Sequence, residues 1–438
     1  MKRFSLGSGA RRPGLTAACL AAAATLAAPA FAATQIPVWV SLNAHNAEVF
    51  ESLAKAYNRS QSDVQVDVRN FASPEALNQA LDAAARDKKL PALAQLGDSH
   101  TLEEISQRPY VQPLYALQKS GPLKDIRWFV SSDNAFIHDP KGRLMAFPSM
   151  LEIPVMYYNQ DAFKKAGLAP AAPQRTWIDL QGQLVSLANR GSRTCPLTSD
   201  LPVSINLENL AAVNNQLYAS ADNGLKAKGL PSFSFDLTYV RHLSLMISWV
   251  RAEIMTRPDA GVQSVRRFAQ GECAVMMSGS SHIGAFNDQR KLNYAVTGLP
   301  YYPEVTKVPG NPFVSGAGLW VMKSAKPVTD AAAGFLGWLA QPEQAGRWYQ
   351  QTGYLPVTQA AFKDTPAGFY KDLGQWHDLV AVYAGRSAVT GQGFRIHNYP
   401  AIRTRFQQIL TAALDGQQPA VTALNLASTE GNRIARQR

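Results

Sequence analysis

The chain lacks the residue patterns that mark common catalysts. Its 438 residues contain no Gly-x-x-x-x-Gly-Lys-Ser/Thr loop and no Gly-x-Ser-x-Gly elbow. The first absence removes the usual cradle for nucleotide phosphates, and the second removes a common serine-hydrolase turn. The histidines His45, His100, His138, His242, His282, His377 and His397 are scattered. None stands at His-x-x-x-His spacing with a glutamate, so neither a dedicated metal site nor a cofactor is expected. Ser280 and His282 are close in sequence, but a nucleophilic triad also needs an orienting acid. Polar loop residues are the plainer reading of that pair.

Cysteine is scarce, with three in all. Two of them, Cys195 and Cys273, lie beyond the N-terminal leader described below. A disulfide and a pair of buried thiols both fit, because sequence separation says nothing about Cα distance. Beyond the leader no run of 18 unbroken apolar residues occurs, so no membrane span is expected there. Dense Lys/Arg runs are absent too. The formal charge is +11, of which Lys2, Arg3, Arg11 and Arg12 supply four, leaving +7. That is modest for the length, and no basic patch interleaves with aromatics, so nucleic acid is not an expected partner.

Those four cations head a leader of recognisable composition. Leu15 to Ala28 is apolar but too short to span a bilayer, and Ala30-Phe31-Ala32 offers small residues at cleavage spacing. Residues 1–32 therefore read as a secretory signal peptide, which points to the periplasm. An uncleaved anchor and a lipoprotein processed at Cys19 are the alternatives.

The rest alternates between strand and helix patterns. Ile36 to Leu42 reads as a strand. Ala47 to Tyr57 places Val49, Phe50, Leu53, Ala54 and Tyr57 on one helical face. Val64, Val66 and Val68 alternate as a strand, Ser73-Pro74 opens a helix, and Leu90 to Leu96 is an apolar strand ending at Gly97-Asp98. This order argues for a parallel sheet flanked by helices, with ligands beyond the carboxyl ends of the strands. Further strands are expected at Leu144 to Pro148, Ile153 to Tyr158, Asn293 to Pro300 and Ala317 to Met322, with a helix and strand over Val262 to Met277. Helices are expected at Trp177 to Asn189, Phe235 to Ala252, Ala331 to Ala340, Ala401 to Leu414 and Val421 to Arg436, with a long loop in the middle.

The most distinctive stretch is Met156-Tyr-Tyr-Asn-Gln-Asp-Ala-Phe-Lys-Lys-Ala-Gly-Leu168, followed by Thr176-Trp-Ile-Asp-Leu180. Asp161 suits a helix N-cap, Gly167 a left-handed C′ position and Thr176 a second cap. With Phe268-Ala-Gln-Gly-Glu-Cys-Ala274, Ser315-Gly-Ala-Gly-Leu-Trp-Val-Met322, Gln351-Thr-Gly-Tyr-Leu-Pro-Val-Thr358 and Gly393-Phe-Arg-Ile-His-Asn-Tyr-Pro-Ala-Ile-Arg403, it resembles extracellular solute-binding proteins of ATP-driven importers. The resemblance is strongest to members that take phosphorylated glycerol compounds.

The resemblance implies an α/β two-lobe fold of the type II periplasmic binding class. Each lobe would be a mainly parallel sheet flanked by helices, and crossing hinge strands would join the lobes. Lobe 1 would comprise residues 33–150 and 314–365, and lobe 2 residues 151–313 and 366–438. A monomer is implied that binds a small molecule, a phosphorylated glycerol compound or a sugar, and meets an inner-membrane permease and its ATPase. No enzymatic activity is implied.

The resemblance also carries site residues. Arg403 would grip a phosphate, Gly316 would bring a backbone N–H to an anion, and Tyr354 would donate its hydroxyl. A cleft serine aligns with Gly279, with Ser280 beside it, and Asp98 takes the place of an acid that receives glycerol hydroxyls. The sequence departs from the pattern at Pro74, Leu201 and Ser204, which replace aromatic residues, and at Glu152, which replaces a phosphate-binding serine. A carboxylate beside a phosphate dianion is unfavourable unless protonated or paired. Glu152 therefore favours a polyol or sugar, whereas Arg403 favours an anion. A phosphodiester, with one negative charge and additional hydroxyls, suits both.

Overall fold

Two sheets, joined by a strand that leaves one and enters the other, organise the chain. The computed structural model describes residues 33–97, 100–191, 194–226, 229–258 and 261–437. The proposed leader and Asp98 lie outside the described residues.

The first sheet has six strands: β1 Thr34–Val40, β2 Val64–Asn70, β3 Leu93–Gly97, β4 Val111–Gln112, β5 Phe147–Glu152 and β10 Ser315–Met322. Their order is β2-β1-β3-β10-β4, with β5 also paired to β10. The second sheet, ordered β7-β8-β6-β9, contains β6 Pro154–Asn159, β7 Leu197–Ser199, β8 Val275–Gly279 and β9 Tyr294–Thr297. Among the described residues no helix is long and apolar enough to cross a membrane.

The N-terminal units follow their patterning closely. Ile36, Val38 and Val40 of β1 point into the core, and the Ala44–Ser60 helix buries the face predicted from its spacing. There Phe50 packs edge-on to Trp348 with ring centroids 5.6 Å apart. Ser73 caps the Pro74–Arg86 helix by accepting from the Ala76 N–H. Thr176 likewise caps Trp177–Ser186, and Gly167 has φ +74°.

Four expectations need correction. The sheets are mixed rather than mainly parallel: β1 pairs in parallel with β2 and β3, and β7 with β8, but β10 and β6 run antiparallel to all their partners. These two strands border the crossings, and the chain enters each sheet there in the reverse direction. The N-cap of the Gln160–Lys165 helix is Asn159, whose side chain accepts from the Asp161 and Ala162 N–H groups; Asp161 occupies the first turn instead. The middle loop is structured, with β7 and a buried helical run at Ser204–Glu208 and Asn209–Val213. Buried asparagines, which read as loop residues in sequence, hold it: Asn209 Nδ2 donates to Ser204 and Asn206 Nδ2 to the Pro202 carbonyl. Lastly, the strand expected at Leu144 to Pro148 begins only at Phe147 and runs to Glu152.

Only Ile153 separates β5 from β6, so Glu152 ends one sheet and Pro154 begins the other. The chain returns to the first sheet through Phe313 and Val314, just before β10. It crosses again after Gln359–Lys363, and Gly374 then bridges Val296 of β9. One hydrophobic cluster covers the first sheet and continues under one face of the second through Tyr157, Met276 and Val296. A separate cluster covers the other face, with Met156, Trp177, Met277 and Phe406.

Cys195 and Cys273 form a disulfide with a Cα–Cα distance of 4.5 Å. It closes a loop of 78 residues, which restricts the unfolded chain. Replacing both cysteines by serine should therefore destabilise the protein by roughly 2–4 kcal/mol. Chemical denaturation of the variant beside the oxidised wild type measures the loss.

Candidate functional site

Strand direction gathers the site residues at one edge. Ala317 pairs with Gly97 and Ser315 with Glu152, so the carboxyl ends of β3 and β5 meet the amino end of β10. In the second sheet Gly279, at the carboxyl end of β8, pairs with Pro154 at the start of β6. Between these edges lies a cleft of about 770 Å³. That volume falls within the usual size of small-ligand sites.

Glu152, Gly316, Tyr354 and Arg403 all line this cleft. Pro74, Leu201 and Ser204, the positions that depart from the aromatic pattern, line it as well, as do Asp200 and Gln95. Gly279 and Ser280 do not. Gly279 lies behind the Glu152 carboxylate. Ser280 is fully buried, and its Oγ accepts from the Ile153 N–H at 3.4 Å. A ligand contact from the Ser280 hydroxyl is therefore not what the structure supports.

Gly316 has φ +97°, and a Cβ there would collide with the Met150 carbonyl, so the position requires glycine. Tyr354 is buried and stacks on Trp348 at 5.6 Å. Burial, and then the charge of Glu152, push its pKa up, so the phenol stays protonated and able to donate.

Arg403 projects from the Tyr399–Leu414 helix. Its Nε lies 3.1 Å from Oε1 of Glu208, which is buried and also accepts from the Tyr399 hydroxyl at 2.6 Å. Tyr399 in turn contacts the Tyr218 hydroxyl at 2.9 Å. Sequence reading missed this support because Glu208 belongs to the segment taken for a loop. Next to Arg403 a side chamber of about 90 Å³ opens, lined by Phe136, Phe313, Phe394 and Tyr399.

Asp200 brings a second carboxylate to the cleft beside Glu152. Asp200 accepts from Ser278 Oγ at 3.0 Å, and His282 Nε2 lies 3.7 Å from its Oδ2. Burial lowers the His282 pKa, but Asp200 and Glu152 more than offset this and the net shift is upward. Ser280 and His282 thus face different partners, with no nucleophile–base contact between them.

Residues 52–374 match the family of bacterial extracellular solute-binding proteins. The chain is 31% identical over 426 residues to the sn-glycerol-3-phosphate-binding periplasmic protein UgpB of Shigella dysenteriae, covering 96% of this chain and 97% of that protein. It is equally similar to UgpB of Escherichia coli K12, with the same coverage. Among solved structures, UgpB of Mycobacterium tuberculosis in complex with glycerophosphocholine superposes with a TM-score of 0.71. The identity there is 15%, over 92% of this chain and 98% of that one. The GacH receptor of Streptomyces glaucescens superposes at 0.72 with 16% identity, over 92% and 99% of the two chains. These structural matches bear on the fold.

A histidine whose pKa rises on folding stabilises the protein while protonated. The contribution of His282 should be fully present below about pH 6.5, its unfolded value, and lost as pH rises through the higher folded value. The stability difference between wild type and His282→Gln should therefore be larger at pH 5.5 than at pH 8.5. Urea denaturation at the two pH values checks the sign.

Proposed function

The chain belongs to the bacterial extracellular solute-binding proteins, and from that premise we propose that it is the periplasmic substrate-binding subunit of an ATP-driven importer, capturing glycerol-3-phosphate or a related glycerophosphodiester. The observation that carries this reading is the joint presence of Gly316, Tyr354 and Arg403 on one cleft between the sheets. A guanidinium, a protonated phenol and a closely approachable backbone make a donor set for phosphate oxygens. The bound ligand would touch residues from both sheets only when the cleft is closed, which selects the closed form for docking on an inner-membrane permease. The bodies that close would be residues 33–150 with 314–365, and 151–313 with 366–438. The N-terminal leader and the periplasmic relatives support a periplasmic location.

A sugar or polyol ligand is the second reading. Glu152 and Asp200 on the cleft favour it, because carboxylates accept from hydroxyl groups. A secreted hydrolase finds no support in the arrangement of Ser280 and His282.

A thermal-shift screen of glycerol-3-phosphate, its diesters and maltose separates these readings, since a ligand that binds only the folded state raises the melting temperature. Arg403→Ala should weaken binding of the phosphate compounds by about 100-fold or more in calorimetry. Because this change also strips Glu208 of its cation, Arg403→Lys serves as the companion variant, retaining charge but losing bidentate geometry. Unchanged affinity in both variants would exclude the phosphate reading.

A further inference from the structure

Gly279 has φ −63° and ψ 147°, a conformation open to any residue. Its backbone therefore does not call for glycine. The neighbouring side chain does. A Cβ on Gly279 would overlap the Glu152 carboxylate, and the three atoms nearest to that Cβ position are Oε2, Cδ and Oε1 of Glu152. The carboxylate thus occupies the volume that any other residue at 279 would fill.

The same carboxylate takes up a backbone donor. Glu152 Oε2 accepts from the Ser281 N–H at 3.2 Å. Glu152 also acts on Tyr354, whose pKa it helps to raise. The Ser281 N–H is therefore engaged by an anion belonging to the chain. Asp200 adds a second negative charge on the same cleft, and its Oδ1 is buried with no hydrogen-bond partner among the described residues. Arg403 lies on the helix Tyr399–Leu414, a separate wall of the cleft.

We propose that Glu152 and Gly279 form one specificity unit, in which the carboxylate built into the space above Gly279 sets a hydroxyl acceptor and a negative charge beside Gly316, so that the cleft favours a singly charged phosphodiester over a doubly charged monoester. This rests on the phosphate-ligand reading of the cleft and adds a charge preference to it. A hydroxyl of the ligand donates to Glu152, and the phosphate meets the Gly316, Tyr354 and Arg403 donors under the influence of the Glu152 and Asp200 charges. A doubly charged monoester feels the two carboxylates more strongly than a singly charged diester does. The preferred substrate class is then a glycerophosphodiester with a hydroxylated head group.

Calorimetry at pH 8, with glycerol-3-phosphate and glycerophosphoglycerol as probes, tests this on wild type, Glu152→Gln, Gly279→Ser and the Glu152→Ser/Gly279→Ser double variant. Wild type should bind the diester at least tenfold more tightly than the monoester. Glu152→Gln, which keeps the shape and removes the charge, should narrow that ratio at least fivefold. Gly279→Ser should weaken diester binding by displacing the carboxylate. The double variant, relieved of the overlap and with the Ser281 N–H released, should favour the monoester. A ratio that stays at the wild-type value in both Glu152→Gln and the double variant overturns the inference. So does a wild type that prefers the monoester, although the importer reading then survives. A wild type that binds neither probe overturns both.

Discussion

The crossing at Ile153 is the constraint on which the site depends. A single residue between β5 and β6 leaves no slack, so the end of one sheet and the start of the other are fixed relative to each other. Glu152 is paired to Ser315 on one side of this joint, and Pro154 to Gly279 on the other. The cleft floor is therefore built from backbone ladders, with few loops to relax. Interactions across the joint reinforce it: Asn46, at the start of the Ala44–Ser60 helix, donates to the Ser281 carbonyl at 3.0 Å, and His45 Nδ1 contacts Asp288 at 2.5 Å. Side chains held by paired strands lose little further freedom on binding, which favours a preorganised site.

Legibility in the sequence followed the range of the interactions. β1, β2 and the first two helices could be read because their apolar spacing is local, and caps such as Ser73 and, further on, Thr176 lie within a few residues of the groups they satisfy. The Ser204–Val213 run could not, because buried Asn206 and Asn209 have the composition of a loop and their satisfaction depends on the folded backbone. The Cys195–Cys273 pairing stood open beside two buried thiols, since only the neighbouring β7 and β8 bring the two together. Of the site positions carried by family resemblance, Glu152, Gly316, Tyr354 and Arg403 converge on the cleft. Gly279 and Ser280 lie behind it, because β8 ends under Glu152 and turns towards Ile153.

The cleft is lined by side chains of both charge signs. Arg403 is anchored through Nε to a buried glutamate that also accepts from Tyr399, so its orientation is set before any ligand arrives. A buried carboxylate needs such partners, and removing one leaves an unfavourable charge. Also on the cleft, Glu152 has a backbone donor and Asp200 a serine and a histidine, but no arginine or lysine pairs with either among the described residues. Net charge does not convey this arrangement, because a chain with an excess of cations still places two carboxylates on the cleft. A ligand that combines an anionic group with hydroxyls matches both kinds of partner. Complementarity of this kind sets specificity more than affinity, because the wrong orientation brings like charges together. The decisive contrast lies between two residues on different elements, Glu152 at the end of a strand and Arg403 in a helix, and only the cleft brings them together.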